Sequence, residues 1–75
     1  MNIIIYTSPS DQWSAELKTF LKKKKLQFEE REVMEEHPFW GEVLQKTDQL
    51  STPVIDIDGT IIVGFDKERI EKALS

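Results

Sequence analysis

Residues 53–63 read Pro53-Val54-Ile55-Asp56-Ile57, then Asp58-Gly59, then Thr60-Ile61-Ile62-Val63. Two β-branched runs flank a two-residue turn whose members tolerate positive φ, the strongest short-range signature of a β-hairpin. This stretch therefore contributes two adjacent antiparallel strands to a sheet, and the rest of the chain must build around them.

Upstream, Ile3, Ile4, Ile5 and Tyr6 form a continuous β-branched and aromatic run that stops at Thr7-Ser8-Pro9-Ser10. Such a run reads as a strand buried on both faces and ended by a turn. From Gln12 the spacing turns helical, with Trp13, Leu17, Phe20, Leu21 and Lys24 in register and Asp11 placed to cap the first turn. The pattern predicts a helix to about Lys24. Residues 28–33 are extended in character but charged, through Glu29, Glu30, Arg31 and Glu32, as suits an edge strand that must not pair with another molecule. Pro38 fits the first turn of a second helix with apolar positions Phe39, Trp40, Val43 and Leu44, ending near Thr47; Gly41 costs it some stability. After Gly64 and Phe65, Asp66 is the natural N-cap of a short last helix that buries Ile70, Ala73 and Leu74, with Glu68 in its first turn.

The order is βαβαββα. Its first half demands parallel strands joined by a right-handed crossover, and its second half adds the hairpin to the same sheet. The expected fold class is α/β, with a mixed four-stranded sheet and three helices. The isoleucine-rich first strand belongs inside, between the charged strand and the hairpin.

The chain has 75 residues, 39% hydrophobic and 32% charged, the balance of a soluble globular domain rather than a disordered or membrane protein. No linker or repeat divides it, so residues 1–75 are expected to form one domain. It contains no cysteine, and without a disulfide or thiolate metal site the apolar core must carry the fold. The N-terminus lacks the basic start and long apolar run of a signal peptide, so a cytoplasmic location is expected. A net charge of -4 argues against nucleic acid as a partner. The basic run Lys22, Lys23, Lys24 and Lys25 reads as a solvated helix end that complements the dipole. Glu35 and Glu36 read as solvated too. His37 has no ligand-spaced companion, and Asp56-Ile57-Asp58-Gly59 lacks the remaining ligands of a calcium loop, so neither a metal nor a cofactor is expected.

Three segments carry a resemblance, at the expected separations and spanning nearly the whole chain: Tyr6-Thr7-Ser8-Pro9-Ser10 with Asp11-Gln12-Trp13-Ser14, Ser51-Thr52-Pro53-Val54, and Gly64-Phe65-Asp66. Together they resemble the glutaredoxins and the glutaredoxin-like hydrogen donors of ribonucleotide reductase, which share the thioredoxin fold in its minimal form. The resemblance places Asp11-Gln12-Trp13-Ser14 on the family's Cys-x-x-Cys, with Trp13 where an aromatic is frequent. It implies a cis Thr52-Pro53 bond facing that motif, with the Thr52 backbone free to pair with an extended thiol peptide such as glutathione or a protein segment. It also implies that the turn from Gly64 to Asp66 meets the γ-glutamyl end of glutathione, although Phe65 is more like the donors that do not use it.

The departure decides the chemistry. A dithiol enzyme needs a thiolate stabilised at a helix N-terminus and a second thiol to resolve the mixed disulfide; Asp11 and Ser14 supply neither. Ligation of an iron-sulfur cluster is lost for the same reason. No thiol-disulfide activity is expected, and no residue is assigned a catalytic role.

Each site residue also has a plain structural reading. Asp11 and Asp66 are ordinary N-caps, Ser14 a polar first-turn residue, Pro53 a strand-start proline. The functional reading is a groove formed by Pro9, Ser10, Asp11, Gln12, Trp13, Ser14, Thr52, Pro53, Gly64, Phe65 and Asp66, which keeps shape and backbone donors while the redox chemistry is gone. Its expected ligand is a protein segment or glutathione. A negative Asp11 competes for the helix N–H groups and works against anionic ligands there. The alternative is a glutathione-dependent enzyme in which Ser10 or Ser14 stabilises the glutathione thiolate, as in some glutathione transferases with this fold. Against it stand the charge of Asp11 and the lack of a helical domain for a second substrate.

Overall fold

A computed structural model of the chain describes residues 1–33, 39–49 and 51–75. The expectations for Glu35, Glu36, His37 and Pro38 and for the Phe39 side chain lie outside the described residues. The elements run β1 (Ile3–Thr7), α1 (Gln12–Lys23), β2 (Glu29–Glu32), α2 (Phe39–Thr47), β3 (Val54–Ile57), β4 (Thr60–Val63) and α3 (Lys67–Leu74). They form a mixed four-stranded sheet in the order β2-β1-β3-β4 with three helices. β1 is parallel to β2, Ile4 standing opposite Glu29, and antiparallel to β3, Ile3 standing opposite Ile57. The apolar first strand is thus central and the charged strand is an edge, because a strand as apolar as β1 gains most from cover on both faces.

Strand alternation divides the core in two. Ile3, Ile5, Ile55, Ile57 and Ile62 pack with Leu17 and Leu21 of α1 and Ile70 of α3. On the other face Tyr6, Val33 and Val54 pack with Val43 of α2. The hairpin turns at Asp58 and Gly59, both with positive φ, whose twist matches that of the flanking strands. Asp58 also accepts from the Asn2 N–H at 2.7 Å and donates its own N–H to Asn2 O at 2.9 Å, fastening the turn to the start of β1.

The helices follow their sequence patterns, with one departure at Leu44. α1 ends at Lys23, with Lys24 as its C-cap, at the expected place; Lys25 takes φ 58 and the N–H groups of Lys25 and Leu26 return to Lys22 O and Leu21 O at 3.0 and 3.2 Å, a left-handed C-terminal closure. Leu44, read as a member of an apolar helical face, is 48% exposed, whereas Trp13, read as part of the groove, is 56% exposed as that placement requires. The inward line of α1 is Ser14, Leu17 and Leu21, and Val43 takes the inward position on α2; a neighbouring residue is rotated by about 100° and turns outward.

The buried polar centre of the α2 side is Tyr6, which is 0% exposed. Its hydroxyl donates to Glu42 Oε1 at 2.8 Å and accepts from Lys46 Nζ at 2.9 Å and Arg31 Nη1 at 3.3 Å. Arg31 also pairs with Glu42, and Lys46 with Asp56 Oδ2 at 2.7 Å. Partial burial acts to lower the Lys46 pKa, but the bonds to Asp56 and Tyr6 outweigh it and hold the ammonium above its ordinary value. One phenol so ties together β1, β2, α2 and β3.

Candidate functional site

The site lies where β1 runs into α1. The Thr7 to Ser10 turn ends with Asp11 N–H donating to Ser8 O at 3.1 Å, and Asp11 then caps α1 by accepting from the Trp13 N–H at 2.9 Å. Its carboxylate does more than cap. Oδ2 accepts from the Ser14 hydroxyl at 3.2 Å and from the Thr52 hydroxyl at 2.8 Å, so the helix start is bonded to the loop before β3. The Thr52-Pro53 peptide bond in that loop is cis.

Two further links join the third segment. Gly64 N–H donates to Pro53 O at 2.7 Å, and Gly64 has φ 84, a conformation that disfavours any side chain there. The Trp13 and Phe65 rings lie with centroids 6.4 Å apart. The three segments singled out in the sequence are therefore brought to one place through the pairs Asp11 with Thr52, Pro53 with Gly64 and Trp13 with Phe65.

Individual residues sit differently. Ser14 is 1% exposed, and its hydroxyl both accepts from the Ser8 N–H at 3.1 Å and donates to Asp11. That side chain is spent inside the protein, which corrects its assignment to the groove surface and removes it from the glutathione-thiolate reading. Pro53 is likewise buried, leaving Thr52 as the accessible face of that loop. Pro9, Ser10 and Gln12 are exposed at the rim, with the Ser10 hydroxyl 3.4 Å from that of Ser8. Asp66 is exposed and accepts from the Arg69 N–H at 3.2 Å as the cap of α3.

One role and one participant escaped the sequence reading. Thr52 was read for its backbone alone, yet its hydroxyl makes the bond to Asp11; a hydroxyl in a loop outside any periodic pattern carries no local signal. Thr7, 1% exposed, donates to Glu30 Oε2 at 2.7 Å, and Lys18 of α1 stands 3.1 Å from the same oxygen. Burial acts to raise the Glu30 pKa, but the Thr7 and Lys18 contacts prevail and hold it below the usual carboxylate value.

Chemically the arrangement offers backbone groups, a carboxylate and an exposed indole, and no thiol. Among the described residues no group of three His, Cys, Asp or Glu side chains gathers as a metal site, and no helix is long and apolar enough to cross a membrane.

The glutaredoxin family model matches residues 3–62. An uncharacterized glutaredoxin-like 8.6 kDa protein in the rubredoxin operon of Clostridium pasteurianum is 38% identical over 72 residues, which cover 96% of each chain. Among solved structures, the thioredoxin-like protein BC3987 superposes with a TM-score of 0.87 at 30% identity, covering 96% of this chain and 99% of that one. The glutaredoxin grx-1 of Archaeoglobus fulgidus gives a TM-score of 0.88 at 17% identity, covering 97% of this chain and 85% of its own, a likeness of fold alone.

Proposed function

The chain belongs to the glutaredoxin family, and from that premise we propose that it is a redox-inactive binding module whose degenerate motif receives an extended peptide ligand, a protein segment or glutathione. The observation that carries this reading is the Asp11 carboxylate, bonded to the Thr52 hydroxyl at 2.8 Å at the place the family resemblance gives to the first motif cysteine. A vestige under no constraint has no need to keep the helix start, the proline loop and the Gly64 turn joined. Here the helix start and the proline loop are joined by side chains that cannot exchange disulfides, and the proline loop and the Gly64 turn by a backbone bond.

In this reading each residue has a task. The Thr52 backbone pairs with the extended ligand, Trp13 and Phe65 cover one flank of it, and Pro9, Ser10 and Gln12 form the opposite rim. Asp11 positions Thr52 and disfavours an anion directly at the helix start. The ligand binds and leaves without covalent change.

Reduced glutathione, a short extended thiol peptide, is the direct probe. Followed by backbone amide shifts, it should move the resonances of Ser10, Asp11, Trp13, Thr52, Val54, Gly64 and Phe65 and leave α2 unmoved. Shifts scattered over the surface, or none at saturating concentration, would defeat the assignment of the groove as a ligand site.

A further inference from the structure

The two edges of the sheet are built differently. β2, at one edge, reads Glu29-Glu30-Arg31-Glu32, whereas β4, at the other, reads Thr60-Ile61-Ile62-Val63. Charges and prolines on an edge strand discourage pairing with another chain, and β4 carries neither. The register shows which of its backbone groups are free. Asp58 N–H donates to Asn2 O and Gly64 N–H to Pro53 O; the alternation of antiparallel bonding then turns Thr60 and Ile62 toward β3, opposite Ile57 and Ile55. Ile61 and Val63 therefore present their N–H and C=O groups outward, where no strand among the described residues pairs with them.

The side chains beside that edge differ from face to face. On the α3 side, Thr60 and Ile62 stand next to Arg69, Lys72 and Ala73, and no carboxylate lines this ledge. Both cations are exposed; of the acids on the same helix, Glu71 is paired with Lys24, and Asp66 accepts from the Arg69 N–H as a cap. On the α2 side, Ile61 is half-buried against the Tyr6 cluster and Val63 is exposed. A strand laid along β4 alternates its own side chains between these faces, so one set meets cations and the other meets isoleucine and valine. A second copy of the chain is the wrong occupant. Two-fold pairing of β4 with β4 keeps like faces together and sets Arg69 and Lys72 of the two copies side by side.

We propose that β4 receives an extended segment of a partner protein as a fifth strand, the segment alternating carboxylate side chains with β-branched apolar ones. Backbone bonds to Ile61 and Val63 supply the affinity, and the alternation supplies the specificity. The carboxylates meet Arg69 and Lys72, while the apolar side chains lie against Ile61 and Val63. The edge adjoins the motif groove only at Gly64 and uses none of its side chains. The net charge of -4 does not oppose such a ligand, because exposed charges more than about 10 Å away are largely screened and the local cations govern.

The probe is a blocked heptapeptide of alternating glutamate and valine, against the same peptide with lysine for glutamate. The acidic peptide should slow hydrogen exchange at the Ile61 and Val63 amides, with little effect at Thr60 and Ile62, which already face β3. Methylating one alternate set of the peptide's amide nitrogens should abolish binding, and methylating the other set should leave it. Arg69→Glu with Lys72→Glu, both at exposed positions, should weaken it about tenfold or more, and the milder Arg69→Gln with Lys72→Gln should do so in part. Equal binding of the lysine peptide, equal binding of both methylated forms, or undiminished binding by either folded double variant would each overturn the proposal. So would a dimer whose Ile61 and Val63 amides are protected without peptide, since the edge would then belong to a second copy.

Discussion

The Thr52 hydroxyl donates to Asp11 Oδ2 at 2.8 Å across 41 positions of sequence, and the two residues should behave as a coupled pair. Asp11→Ala removes a helix cap as well as the bond to Thr52 and should destabilise the fold by about 1–2 kcal/mol; Thr52→Val should cost about 1 kcal/mol. In urea unfolding the double variant should lose less than the sum of the two. Strict additivity would show that the bond carries no coupling energy.

Wild-type protein should show no glutathione-dependent reduction of a small disulfide above a protein-free blank, since no side chain can form the mixed disulfide. Asp11→Cys with Ser14→Cys should create that activity. The first thiol would meet the Trp13 N–H and the positive end of α1, and the second would lie one turn on, in the buried position that Ser14 holds now. A folded double variant that forms no internal disulfide under oxidant would refute the alignment of residues 11–14 with the redox motif.

Tyr6→Phe keeps the ring and deletes the atom on which Glu42, Lys46 and Arg31 converge. The expected loss is about 1–3 kcal/mol, because three polar partners lose a bond in a partly buried setting and only some can be re-solvated. Chemical denaturation at neutral pH measures it directly. A neutral outcome would mean that the ion pairs of Lys46 with Asp56 and of Arg31 with Glu42 suffice without the phenol.

Glu30 sets part of the acid response. Its folded pKa lies below the ordinary carboxylate value, burial being outweighed by Thr7 and Lys18. The stabilisation is therefore fully present above the unfolded-state pKa and is lost as pH falls through the folded one. Glu30→Gln should flatten the decline of stability on the acid side while changing little of its shape near neutrality. An unchanged acid limb would show that Thr7 and Lys18 do not favour the charged form.

Most of the architecture was legible because strong local patterns agree with one another. The Asp58-Gly59 turn fixed β3 and β4, the run from Ile3 to Tyr6 could be satisfied only in the sheet centre, and the charges of residues 29–32 could only stand at an edge. Leu44 was misread because helical spacing says that residues share a stripe without saying where its margin falls. The site was legible as three segments, since turn chemistry marks each of them. Its internal wiring was not, because Thr52 to Asp11, Ser14 to Ser8 and Lys46 to Tyr6 are contacts made only after the chain has closed on itself.

Asp11 has a last consequence. A thiolate at that place is a conditional charge, present in the reduced protein and consumed when a disulfide forms. A carboxylate has no oxidation states to visit. On the proposed reading, a partner of this groove would meet the same surface in a reducing milieu and in an oxidising one, and its binding would be uncoupled from the redox poise to which thiol-bearing members of the family respond.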